Sequence, residues 1–526
     1  MAGHQVRLAP PGTALKVLFL TLLLAAPASA ASVKLFAFDA KGGALDAQGL
    51  ARRLARADEK PPDLGKLPLW AVSVDGKTAP QRLRLSQQDK LVLGSWNTAE
   101  HVRLELVWPV EEDGYNAVGA DKGGLGFGDG ELVFLDEEIA VTQYARFKES
   151  WKRRLSDWQP LYKPGKKAKE LAAAAAAAMA EAASQKETPA RVKAYQQSLQ
   201  ATALAWEKTL FEHGLQHALD KRRGPGLRFG LTLDESLLKR LDDLDWIAEA
   251  ARRSGANWVR LVFRANAADF LYSSPRSFNE YDGVIEELAR NKIKVMGCVL
   301  DATQWPKTLT PTLYAERVKN LVLHYRGKIA SWEVGTELNG DWLGGASTPF
   351  APEQVSRIYA AGVDKVKELD PALETVATLY AWEETAPDRE HALSGWLAAA
   401  VKRGFGRGLD VVGLSIQPED NPLGMGLERA FDAAAEALPR QKLLVSSLGY
   451  VEQEELKGYW WLAPDDVDGA RKDIALLYAT ASCAMPRSLC GGFWWQTLDQ
   501  MLPPGRRKAT DLYKVWRHTL DQLGRR

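Results

Sequence analysis

Glu337 stands in the segment Trp332-Glu-Val-Gly-Thr-Glu-Leu-Asn339, a short apolar run that ends in a carboxylate, an amide and, shortly after, Trp342. Comparable groups follow other short apolar runs: Asp234, Arg264, Asp301 with Trp305, Tyr380 with Trp382 and Glu383, Gln417, Ser447, and Trp495 with Gln496 and Asp499. Carboxylates, amides and indoles dominate, and no histidine is among them. Carboxylates act as acid, base or nucleophile at an acetal carbon. Indoles offer flat apolar faces to sugar rings, while amides and Arg bond hydroxyls. These residue types point to sugar chemistry. Glu337 is the expected proton donor, with a pKa raised by burial and a nearby carboxylate. Its bland alternative is an ion pair with Arg264. No His-Glu-x-x-His and no Gly-x-Ser-x-Gly occurs, and no His is placed to activate Ser447. His213 and His217 share a helical face without an acidic or Cys partner in sequence, so a metal site is not expected, nor is any nucleotide or redox cofactor.

The groups must be positioned by the elements they terminate. From about Gly224, apolar strands alternate with amphipathic helices: strands at 227–231, 258–263, 294–300, 331–334, 375–379, 411–416, 442–446 and 492–495, helices between them. Eight such units in about 300 residues predict a closed parallel (β/α)8 TIM barrel, with its active groups at the C-terminal strand ends. An open doubly wound sheet is the runner-up, but the first strand lacks a Gly fingerprint. Residues 31–145 show short, partly alternating runs and predict an antiparallel β-sandwich. The Gly-rich stretch 123–130 leads into a strand rather than a helix and is expected to be a surface loop. Residues 146–222, with seven consecutive Ala at 172–178, predict a helical hairpin connector. The fold class is therefore α/β, with units at 1–30, 31–145, 146–222 and 223–526.

Composition narrows the function. The 526 residues carry 68 Lys+Arg against 67 Asp+Glu, a net charge of +1, which disfavours a nucleic-acid binder. Three Cys exclude a disulfide scaffold. Arg7 and Lys16, the apolar run 17–26 and the small residues 28–30 form a secretory signal pattern, with cleavage expected near Ala30 and a periplasmic or secreted destination; an uncleaved anchor is the alternative. No second long apolar run follows, so the mature chain is expected to lack a membrane span. Cys483 and Cys490 are close enough in sequence to pair, or are small buried hydrophobes. There are 18 Trp. Trp305, Trp332, Trp342, Trp382, Trp460, Trp461, Trp494 and Trp495 fall at or beyond the later strands, which suggests a sugar groove, whereas Trp70, Trp96 and Trp108 are expected in the core of the N-terminal sheets.

The segment 332–339 resembles the fourth-strand motif of the large clan of (β/α)8 glycoside hydrolases, with cellulase-like, β-xylosidase-like and β-mannanase-like members. There the strand reads roughly Trp-Glu-x-x-Asn-Glu and its last Glu is the general acid/base. The resemblance implies that role for Glu337, with Thr336 replacing the usual Asn. Leu409-Asp-Val-Val-Gly-Leu-Ser-Ile-Gln417 resembles the sixth strand, with Ser415 and Gln417 replacing His and Tyr, and Gly491-Gly-Phe-Trp-Trp-Gln496 resembles the eighth. The chain departs from the pattern where the clan places its nucleophile Glu, at the end of strand seven; Ser447 stands there. Three readings follow. One is a glycosidase with a displaced second carboxylate, drawn from Glu452, Glu454, Glu455, Glu383 or Asp301. Another is a barrel that binds polysaccharide without cleaving it. The third is an envelope assembly or export factor.

Overall fold

The computed structural model describes residues 31–39, 41–76, 78–111, 113–221, 227–265, 278–345, 347–449, 458–459, 478–494, 498–505 and 507–524. The signal pattern at 1–30 lies outside them, as do Glu452, Glu454, Glu455, Trp460, Trp461, Trp495 and Gln496.

Eight strands make the N-terminal part: β1 (Ala31–Phe36), β2 (Leu69–Ser73), β3 (Gln81–Arg82), β4 (Arg84–Gln88), β5 (Leu91–Trp96), β6 (Val102–Val110), β7 (Gly114–Ala120) and β8 (Leu132–Phe134). They form two four-stranded sheets, in the orders β4-β5-β1-β8 and β3-β2-β6-β7. Pairing is antiparallel except between β1 and β8, which run parallel. Alternation drives it: β1 buries Ala31, Val33 and Leu35 on one face and leaves Ser32, Lys34 and Phe36 half-buried. Trp96 and Trp108 are core residues. Strand β7 escaped the sequence reading because Gly-Tyr-Asn-Ala-Val-Gly-Ala alternates weakly. The helix α2 (Leu135–Ser156) begins directly after β8, inside the span read as strand; its first turn carries Asp136, Glu137 and Glu138, which favour a helix N-terminus. The Ala-rich α3 (Lys166–Ser184) and the long α4 (Thr188–Lys221) follow and pack on each other.

The C-terminal part is a closed barrel of eight parallel strands: β9 (Gly230–Leu233), β10 (Trp258–Val262), β11 (Lys294–Cys298), β12 (Ser331–Gly335), β13 (Glu374–Tyr380), β14 (Val411–Ile416), β15 (Lys442–Leu448) and β16 (Ser488–Trp494). The pairing of β16 with β9 closes the ring. The strands are buried on both faces, hence their continuous apolar runs. The intervening helices end as capping chemistry dictates; Leu244–Ser254 stops at Gly255, whose φ of 95° puts it in the left-handed region.

The lumen is not wholly apolar. Arg260 of β10 reaches past β11 to Glu333 of β12, Nε to Oε2 at 2.6 Å. Thr378 of β13 also donates to Glu333, and its hydroxyl lies 2.9 Å from that of Ser446 on β15. Gly413 of β14 makes room for this pair, since a Cβ there would meet Ser446 Oγ at 2.4 Å. Cys298 is buried beside Thr336, and burial pushes its thiol well up; Cys483 and Cys490 are paired.

The two parts meet over a polar seam. Arg429, on the barrel helix Leu427–Ala437, bonds Glu105 of β6 and Glu384 beyond β13. Arg429 and Arg146 hold the Glu105 carboxyl down at about 2 against its burial. Glu384, with one guanidinium to share, is pushed up to about 7 by burial. Glu428 meets Ser150 at 2.6 Å and Arg154 at 2.7 Å, both on α2.

Removing one member of a buried ion pair strands the other charge. Glu333→Gln is expected to cost about 3–5 kcal/mol in urea unfolding; a loss under about 1 kcal/mol would show that the pair is not isolated from water.

Candidate functional site

Glu337 follows β12 by two residues. The register of β12 against β13 slips between Glu333 and Gly335, and the chain then turns with Glu337 at φ 48°. A left-handed conformation in a non-glycine residue costs of order 1–3 kcal/mol and needs support from its surroundings. The support is visible: Gly340 N donates to Glu337 O at 2.8 Å, and Leu338 N to Thr378 O at 3.2 Å. Asn339 completes it. Its Oδ1 accepts from Tyr380 N at 2.7 Å, and its Nδ2 donates to Tyr380 O and His391 O at 2.9 and 2.8 Å. Expected as a sugar contact, Asn339 is 1% exposed and committed to the main chain.

Glu337 is half-buried, and its carboxylate accepts from Ser415 Oγ at 2.7 Å, a residue at the end of β14. Its pKa is pushed up to about 7, first by burial and next by the Asp301 carboxylate; Ser415 and Arg260 pull the other way, and Glu333 adds a small push. The cation felt at the site is thus Arg260 from the lumen, which the sequence reading missed because it lies mid-strand. Arg264 instead pairs with Glu280 at 3.2 Å.

Asp301 ends β11's extension and caps the short turn Ala302–Gln304, one oxygen accepting from Thr303 N at 3.0 Å and Thr303 Oγ1 at 2.8 Å. The other oxygen lies 3.8 Å from Arg260. Asp234 caps the turn after β9 through Ser236, and neighbouring Glu235 has its carboxyl pushed up by burial, with smaller contributions from Asp234 and Asp301. Ser415 and Ser447 are register partners on β14 and β15, and Gln417 Nε2 lies 3.3 Å from Ser447 Oγ. Position 447 therefore presents a hydroxyl, bonded by an amide, at the strand end where the resemblance places a nucleophile.

Glu337 acts electrostatically on Tyr380, which belongs to an aromatic wall. Trp342, Tyr380 and Trp382 pack mutually, with ring centroids 5.0–5.3 Å apart, and both indoles remain partly exposed. Trp382 Nε1 is bonded to His391 O at 2.7 Å, which fixes its plane. Two other tryptophans expected at the mouth are core: Trp332 is fully buried near Phe263, and Trp305 packs on Tyr314 and Phe350. Burial of a ring on both faces leaves no platform for a ligand.

Glu383, expected as a second carboxylate, is drawn elsewhere. It bonds Arg389 at 2.6 Å and accepts from Ser394 N at 3.0 Å, at the edge of a cavity of about 160 Å³ between β2, β6 and the barrel that Trp70, Glu105 and Arg429 also line. Arg389 is its counter-charge, so nothing directs it towards Glu337. Asp499 pairs with Arg240 at 2.5 Å. His213 and His217 both contact Pro160 O at 3.2 Å, and burial and Arg154 lower the His213 pKa to about 3. No group of three or more His, Cys, Asp or Glu suited to a metal occurs among the described residues, and no helix among them is long and apolar enough to cross a membrane.

The electrostatics carry a sign. Folding raises the Glu337 pKa from 4.5 to about 7, so the folded chain holds this proton more tightly. That contribution is complete below pH 4.5 and is lost as pH rises through 7. Glu337→Gln is expected to gain about 2 kcal/mol on the parent protein between pH 5 and pH 8, after a discount for solvent contact. A stability difference independent of pH would contradict the shift. In a carboxyl NMR titration, Asp301→Asn lowers the Glu337 pKa and Ser415→Ala raises it; the opposite order would contradict the assigned causes.

No family model matches the chain, and no curated protein matches it. Solved structures of xylanases are similar to this chain over part of its length. A GH10 endoxylanase retrieved from a sugarcane soil metagenome is 15% identical, covering 58% of this chain and 99% of its own at a TM-score of 0.41. Xylanase 10B from Thermotoga maritima is 12% identical over 60% and 99%, at 0.42. The Penicillium canescens endo-1,4-beta-xylanase is 15% identical over 59% and 96%, at 0.39.

Proposed function

We propose that this chain is an exported glycoside-hydrolase-like protein that acts on a polysaccharide, hydrolysing O-glycosidic bonds with Glu337 as general acid. The observation that carries the reading is a half-buried carboxyl at a barrel mouth, bonded to Ser415, with two half-exposed indoles on neighbouring strand ends. Burial pushes its pKa up to about 7. An acid of that strength is still largely protonated just below neutral pH and gives its proton to a leaving oxygen. Trp342 and Trp382 supply the apolar faces on which a sugar ring stacks. Asp301 is the second carboxylate in this reading. It takes the proton of a water that attacks the anomeric carbon as the glycosidic oxygen takes the proton of Glu337; the C–O bond to the leaving sugar breaks, and inversion results. Ser447 and Gln417 then bond sugar hydroxyls. The signal pattern at 1–30 supports delivery to the periplasm or beyond.

One observation favours a second reading, in which the barrel binds glycan without turnover. Ser447 cannot be a carboxylate nucleophile, and Asp301 is already bonded to Thr303 and close to Arg260. The two readings separate on a panel of bacterial and plant polysaccharides, assayed for reducing ends and Trp fluorescence together. Hydrolysis predicts new reducing ends that Glu337→Gln lowers by roughly 100-fold or more, with Trp quenching retained. Quenching without reducing ends supports binding alone. Reducing ends unchanged in Glu337→Gln would overturn the role of Glu337.

A further inference from the structure

The aromatic wall is carried by the loop after β12, which holds Trp342, and by the end of β13 and the loop after it, which hold Tyr380 and Trp382. The loop after β14, which abuts Tyr380 through Asp420, and the loop after β13 are both tied to the N-terminal part by side chains that come from outside the barrel. Arg56, just beyond the helix α1 (Ala47–Leu54), donates to Asp420 Oδ1 at 2.8 Å. The other oxygen of Asp420 accepts from the Tyr380 hydroxyl at 3.3 Å. One carboxylate thus links an N-terminal guanidinium to the ring against which Trp342 and Trp382 pack. Residues 458 and 459 are fastened at the same place: Ala57 N donates to Gly458 O at 2.8 Å, Gly458 N to Asp58 Oδ1 at 2.9 Å, and Tyr459 N to Glu419 O at 2.8 Å.

The second loop, residues 382–387, is fastened by β2 and β3. Trp70 Nε1 donates to Glu384 O at 2.8 Å. Arg82 lies over the Trp70 ring, 4.5 Å from its centroid, and its Nη2 donates to Ala386 O at 2.8 Å and Pro387 O at 3.0 Å. A loop carbonyl bonded by a rigid indole or a planar guanidinium loses much of its freedom. Trp382 is two residues from the first tie. Three N-terminal side chains thus converge on one set of rings: Trp70 and Arg82 bond the backbone just beyond Trp382, and Arg56 reaches the Tyr380 hydroxyl through Asp420.

We infer that the N-terminal part is a working portion of the barrel's mouth, in which Arg56, Trp70 and Arg82 are positioning residues for the Trp342–Tyr380–Trp382 wall and so set ligand affinity without touching the ligand. The affinity clause rests on the wall's being the sugar platform proposed above; the positioning does not.

The test is fluorine NMR of the full mature chain labelled with fluorotryptophan, the Trp342 and Trp382 signals being assigned from Trp342→Phe and Trp382→Phe. Arg56→Ala, at the solvent-facing rim, and Arg82→Ala are each expected to move or broaden the Trp342 or Trp382 signal. The same variants are expected to weaken binding of any glycan that quenches the parent protein by about fivefold or more, and Arg56→Lys to restore part of the loss. Unmoved signals in both alanine variants would overturn the inference. Moved signals in a protein that binds no glycan uphold the positioning and overturn only the sugar reading. Moved signals with unchanged affinity for a bound glycan overturn the affinity clause.

Discussion

Inside the closed barrel, Arg260 and Glu333 meet at 2.6 Å with almost no access to water, and the mouth is built above that pair. Two opposite charges so close nearly cancel at a distance, so neither dominates a group lying over them. Glu337 feels both, one lowering its pKa and one raising it. What remains to set its proton affinity is its own burial and the carboxylate of Asp301, opposed by the Ser415 hydroxyl. Without Glu333, the pull of Arg260 would be unopposed and the Glu337 pKa would fall. The threonine and serine hydroxyls around Glu333 complete its bonding, and Gly413 gives them space, so the lumen and the mouth form one electrostatic unit.

The seam between the two parts obeys the same rule of local neutrality with a different result. Glu105 has Arg103, Arg146 and Arg429 near it and stays ionised at low pH, whereas Glu384 shares Arg429 and titrates near neutrality. Arginine suits this seam because its planar fork bonds two carboxylates, or two carbonyls, at once. The consequence for function is mechanical. The loop that carries Trp382 belongs to the barrel by sequence but is bonded to β2 and β3, and the Tyr380 hydroxyl is linked through Asp420 to Arg56 beyond α1. A barrel mouth is ordinarily shaped by its own strand-to-helix loops; here the N-terminal sheets share that work.

Much of this was legible in the chain. The eight strands emerge from apolar runs of barrel length separated by amphipathic helices, and each described strand lies within a few residues of its expected place. Glu337, Trp342, Trp382, Gln417 and Ser447 could be placed at or near strand ends because each lies at or just after the end of an apolar run. Most of the failures share a cause: partner choice is long-range. Glu383 is the exception, captured by Arg389 and Ser394 from the same loop, six and eleven residues on. Nothing near Trp305 or Trp332 distinguishes an indole filling the core from one left half-open at the rim. Asn339 reads as a ligand contact until its two carbonyl partners, one of them 52 residues away, are seen. Arg260 was hidden because an arginine within a buried strand looks like an exception, and only the closure of the barrel brings Glu333 to it. The weakly alternating β7 and the start of α2 were missed for a local reason, small residues and a strand running straight into a helix.

The central claim is that a sugar chain lies across the aromatic wall with its scissile oxygen at Glu337. The most direct measurement is a crystal structure of Glu337→Gln soaked with an oligosaccharide that quenches the parent protein. The account predicts a ring stacked on Trp382 or Trp342, a glycosidic oxygen within hydrogen-bond reach of position 337, and a water between the anomeric carbon and Asp301. A sugar bound instead on the N-terminal sheets, with the barrel mouth empty, would contradict it.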